Sequence, residues 1–150
     1  MNNNEVISIL HNLIGACKRG HDLFRTAAES IQNSEFRRLF NIFSQQRAQF
    51  ITELQAEVHR LGGDGAKMTD TTSLPSNTVP FRTSTPPKPA ALRDEATVIT
   101  ELQREEEAAV NDYQEALKAD LPLDVQYVVK RQYMDIKDAY DRIRILQRAA

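Results

Sequence analysis

LQREEEAAVNDYQEALKADLP, residues 102–122, reads as most of a long helix and the turn that ends it. Leu102, Glu106, Ala109, Tyr113 and Ala116 recur at steps of four and three, which places them on one helical face, with Leu117 alongside. That face is apolar except for Glu106. Asp120-Leu121-Pro122 breaks the periodicity, and proline suits the first position of a following helix. A carboxylate on the apolar stripe of a helix that turns into another points to a bundle with something polar at its centre.

Outward from this stretch the chain reads as four helices. Leu92 and Ile99 continue the stripe upstream, so the third helix is predicted over about 91–118. Val125, Val129, Gln132, Ile136, Ala139, Ile143 and Leu146 give an inward stripe to a fourth, over about 122–148. The first helix, about 3–31, carries Val6, Leu10, Leu13, Cys17, Phe24 and Ile31 on one face. The second, about 35–61, has a regular heptad seam of Phe36, Phe40, Phe43, Arg47, Phe50, Leu54, Glu57 and Leu61. Ser34 is its expected N-cap, and Gly62-Gly63 its stop. Glu57 is close enough to the helix end to reach solvent; Arg47, near the middle, is not.

Residues 62–90 change character. They are rich in Gly, Pro, Ser and Thr and lack periodicity, as a linker does. Loops of this length inside a domain need a reason. A crossover supplies one, because the segment is long enough to return the chain to the opposite end of the bundle. Two antiparallel hairpins joined by such a crossover make the ferritin-like version of a four-helix bundle, an all-α fold. A simple up-down-up-down bundle is the other topology this pattern allows. The 150 residues form a single domain on this reading.

Composition narrows the function. Apolar residues make up 41% and charged residues 27%, as in a globular protein. With 19 basic against 21 acidic residues and no basic block, nucleic acid is not an expected partner. The N-terminus lacks the pattern of a secretory signal, and no stretch approaches the length of a membrane span. Cys17 is alone, which suits a reducing compartment. A cytoplasmic location, with no membrane association, is the expectation.

The helix midpoints put Arg47, Glu106 and Gln132 inside the bundle within about one turn of each other. Unpaired buried charges are very costly, so these residues are expected to form one polar cluster. Tyr113 or Gln132 would fill the remaining donors and acceptors of the Arg47–Glu106 pair. Cys17 reads as a small core residue. Of Glu105-Glu106-Glu107, only the middle carboxylate points inward.

LIGACKRG at 13–20, AAE at 27–29, QRAQFITELQ at 46–55, EAAVNDYQEAL at 107–117 behind Glu106, LP at 121–122, and Gln132 to Leu146 are similar to a known group. Outside its linker the chain resembles the PA2169-type family of small bacterial ferritin-like proteins of unknown function. The resemblance implies a ferritin-like bundle and places Arg47, Glu53, Glu106, Tyr113 and Gln132 on the family's recurrent positions. It brings no settled activity with it.

Ferritin-like bundles invite a di-iron reading. That chemistry takes a Glu from each of two helices and a Glu-x-x-His from each of the other two. The histidines are His11, His21 and His59, and none follows a Glu at that spacing. Glu57 and His59, two residues apart, diverge on a helix. The fourth helix has no inward acid, and Arg47 adds positive charge where a cation should bind. No metal, cofactor or catalytic residue is therefore expected. The favoured reading is a non-enzymatic, stress-linked or protein-interacting bundle, able to self-associate, with an Arg–Glu cluster in place of a metal centre. The alternative is a metal-binding or di-iron-type oxidase with a degenerate carboxylate site using Glu53 and Glu106.

Overall fold

The computed structural model describes residues 2–63 and 92–149, and the linker reading of 62–90 falls almost wholly outside them. The described residues form four helices: α1 (Asn3–Ser30), α2 (Ser34–Arg60), α3 (Glu95–Leu117) and α4 (Leu123–Ala149). No strand occurs among them. No described helix is long and apolar enough to cross a membrane.

Helix ends follow local chemistry. Asn2 and Glu5 form a capping box at the start of α1. The cap of α2 is Asn33 rather than the expected Ser34. Its side chain accepts from Glu35 N at 2.9 Å and Phe36 N at 3.1 Å. Asn is as good a cap as Ser, and here it leaves Ser34 as the first helical residue. α3 starts at Glu95, later than its periodicity suggests, because Asp94 caps it by accepting from Thr97 N at 3.1 Å. Leu92 therefore stands outside the helix and is exposed rather than part of the inward stripe. At the end of α2, Gly62 takes a positive φ of 91°. Gly63 N then donates to Val58 O at 2.9 Å and Gly62 N to His59 O at 3.0 Å. This is a Schellman stop.

The packing fixes the topology. α1 lies against α2 and α3, and α4 against α3 and α2. Arg93 N donates to Ser30 O at 2.7 Å, so α3 begins where α1 ends. At the other end Asn3 Nδ2 donates to Leu61 O, and Arg60 approaches Asp124. α2 and α3 thus run parallel on the diagonal, and the chain crosses the bundle's length between Gly63 and Leu92. This is the crossover topology, not up-down-up-down.

The core falls into two apolar compartments. One holds Leu10, Leu13, Phe50, Leu54, Val129 and Ile136 among others; the other holds Phe24, Phe40, Phe43, Ile99, Leu102 and Ile143. Arg47 and Glu106 lie between them, with Gly20 facing Arg47 from α1. A Cβ on Gly20 would come within 2.9 Å of Arg47 Nη1 and 3.6 Å of its Cγ.

Two stability predictions follow from these contacts. Asn33→Ala should cost about 1 kcal/mol, the usual loss of a helix cap, while Ser34→Ala should cost much less. Denaturant titration of the two variants separates them. Gly20→Ala in an open helix would stabilise by about 0.5–1 kcal/mol. Here it should destabilise, because the added methyl pushes on a guanidinium held at both nitrogens.

Candidate functional site

Arg47 and Glu106 meet across the bundle diagonal. Arg47 Nη1 donates to Glu106 Oε1 and Nη2 to Oε2, each at 2.6 Å. Both residues have 0% exposure. This is the two-pronged geometry that a planar guanidinium and a carboxylate make best. The Phe24 ring lies 5.4 Å from the guanidinium carbon and covers one side of it. Burial opposes the charge on Arg47, but the attraction and hydrogen bonds of Glu106 outweigh it and hold the guanidinium above its ordinary pKa. Arg47 Nε has no hydrogen-bond partner.

Beside the pair runs a chain of neutral and charged hydrogen bonds. Tyr113 OH donates to Gln132 Oε1 at 2.7 Å. That uses the only phenolic proton, so Cys17 S–H is the donor in its 3.2 Å contact with Tyr113 OH. Gln132 Nε2 donates to Glu53 Oε1 at 2.9 Å and to Phe50 O at 3.4 Å. Glu53 also accepts from Arg131 at 2.9 Å, at the bundle surface. The chain runs from α1 through α3 and α4 to α2.

These surroundings set the proton affinities. Burial pushes the Cys17 thiol up to about 11, and the Tyr113 hydrogen bond only partly offsets it. Burial, reinforced by Cys17, raises Tyr113 well above its usual value. Both groups stay protonated and neutral, unsuited to act as nucleophile or base at neutral pH. Burial works against the charge on Glu53, yet hydrogen bonds from Gln132 and Arg131 outweigh it and lower its pKa. Its stabilising contribution is present above the ordinary carboxylate range and is lost as pH falls through the lowered folded value.

The five residues singled out in the sequence thus fall into two units on successive levels, Arg47–Glu106 at one and Glu53, Tyr113 and Gln132 roughly two helical turns further along, rather than into one cluster within a turn. Gln132 and Tyr113 do not complete the Arg47–Glu106 pair; they bond each other, Cys17 and Glu53. Cys17, read as mere core filling, is a hydrogen-bond donor, and the only sequence signal was its place at the midpoint of α1. Glu57 does not escape to solvent: it is buried and paired with Arg60. Glu105 is also partly covered, and burial raises its pKa against the opposing pull of Arg19, 3.6 Å away. His21, unassigned from sequence, places Nδ1 2.9 Å from Ser44 Oγ and ties α1 to α2.

The donor set does not fit a di-iron centre. Both oxygens of Glu106 face Arg47, and one oxygen of Glu53 takes both Arg131 and Gln132. Among the described residues no group of three or more His, Cys, Asp or Glu is placed to hold a metal ion.

Comparison with solved structures gives a two-domain protein from Anabaena variabilis, containing DJ-1/ThiJ/PfpI-like and ferritin-like domains. The TM-score is 0.78 at 13% identity, over 99% of this chain and 37% of that one. The chain therefore has a ferritin-like fold and spans little more than a third of that protein. No curated protein matches the sequence. The profile of a domain of unknown function, DUF2383, matches residues 5–119, which include all but the first two residues of α1 and the whole of α2 and α3. The ferritin-like bundle built around Arg47 and Glu106 is a member of the DUF2383 family.

Proposed function

We propose that this chain is a non-enzymatic ferritin-like protein whose bundle centre holds an ion pair where metal-binding relatives of the fold hold metal. The observation that carries the reading is the two-pronged Arg47–Glu106 pair, fully buried at mid-height. A fixed guanidinium repels a cation and occupies the carboxylate a cation would need. The neighbouring Tyr113 and Cys17 are held neutral, so the interior supplies packing and hydrogen bonds rather than reactive groups.

With a closed interior, the protein's work falls to its outer surface, through contact with other proteins. Membership of the PA2169-type group and a bacterial origin rest on the sequence resemblance, which brings no activity with it; a link to stress belongs to this reading alone. A single buried cysteine is in keeping with a reducing compartment such as the cytoplasm.

Metal analysis of protein purified from iron-supplemented cells tests the reading. Iron and manganese should be substoichiometric, and excess chelator should leave the melting temperature unchanged. Two tightly held metals per chain, with a melting temperature that falls on chelation, would overturn it in favour of an oxidase with a degenerate carboxylate site.

A further inference from the structure

The outward side of α4 carries four large apolar side chains that the bundle does not use, with Asp141 in the same sector between Met134 and Ile145. Leu123, Tyr127, Met134 and Ile145 are 81%, 70%, 62% and 62% exposed. At about 100° per residue they fall within roughly 40° of one another around the helix. That sector lies opposite the inward stripe of Val125, Val129, Ile136 and Ile143. The four side chains span about 33 Å. Its spacing is symmetric: Leu123 lies eleven residues before Met134, and Ile145 eleven residues after it.

The geometry points to an antiparallel homodimer in which α4 packs on α4 of a second copy across a twofold axis at Met134. Met134 then meets Met134, and Leu123 of each copy meets Ile145 of the other. Tyr127 comes level with Asp141 of the second copy, where its hydroxyl can donate to the carboxylate. The charges along the edge nearest α2 agree with this register. Reading from the N-terminus, they are Asp124, Arg131, Asp138 and Arg142. The twofold sets Arg131 beside Asp138 and Asp124 beside Arg142 of the other copy, opposite charges that add to the pairs Arg131 makes with Glu53 and Asp138 makes with Arg142 within the chain. On the other edge Lys130 faces the Lys137–Asp141 ion pair, which is internally compensated.

The self-complementary spacing selects a second copy over an unrelated partner, because a twofold interface must match itself. One helix face offers an interface at the low end of specific contacts, below about 1,200 Å² in total. The dimer is therefore expected to be concentration-dependent. The inference is independent of how the bundle interior is read, since a metal-loaded dimer and a metal-free monomer are both distinguishable outcomes.

Sedimentation equilibrium of the full chain, from low-micromolar to near-millimolar concentration, should show passage from one chain to two. Met134→Glu, which sets like charges together at the axis, should abolish the dimer while helicity stays unchanged. Leu123→Glu and Ile145→Lys should each weaken it, and the double variant should restore it. Met134→Cys under mild oxidation should give a covalent dimer, the native Cys17 being buried. A monomer throughout, a dimer indifferent to Met134→Glu, or a dimer that Met134→Cys fails to cross-link would overturn the proposal.

Discussion

A charged pair removed from water is the constraint around which this bundle is arranged. Taking a guanidinium and a carboxylate into a protein interior costs several kcal/mol per ion before their attraction is counted. Only near-ideal geometry repays that cost, and Arg47 and Glu106 have it, with two parallel hydrogen bonds at 2.6 Å. The two helices that carry them are diagonal partners, so the pair must reach through the bundle centre. Gly20 clears the space for the guanidinium, and Phe24 covers its face. The apolar core is divided in consequence, with one compartment on either side of the pair.

The same constraint accounts for the neighbouring hydrogen bonds. Tyr113 and Gln132 are each large and polar on otherwise apolar faces, and a buried polar group without a partner is costly. Cys17, Tyr113 and Gln132 resolve this by donating in one direction, from the core to the Glu53 carboxylate, which also accepts from Arg131 at the surface. Every helix contributes one member. A shift of one helix along its axis would therefore break a hydrogen bond as well as misalign apolar contacts, which makes the register of the bundle specific.

Much of this was legible in the sequence, because helical periodicity decides which residues face inward. The four helices ended within one residue of expectation except at the start of α3, where capping by Asp94 prevailed over the apolar spacing. Arg47, Glu106 and Gln132 stood out as polar side chains on apolar stripes. What periodicity could not reveal was partner choice. It gives an angle around each helix and a rough height, whereas a hydrogen bond is settled by a fraction of an ångström. Hence Gln132 and Tyr113 could be placed near the ion pair but not assigned to Glu53 and Cys17. The burial of Glu57 escaped notice for a related reason: nearness to a helix end does not expose a side chain when a neighbouring Arg60 folds over it.

The central claim is that Arg47 and Glu106 are energetically coupled in a dry interior. A double-mutant cycle measured by chemical denaturation addresses it directly, using Arg47→Met, Glu106→Leu and the two together. Each single substitution leaves an uncompensated buried charge and should cost about 3–5 kcal/mol. The double variant should lose far less than the sum, or even gain stability. Single effects that are small and additive, with a coupling below about 1 kcal/mol as for solvent-exposed pairs, would contradict the account.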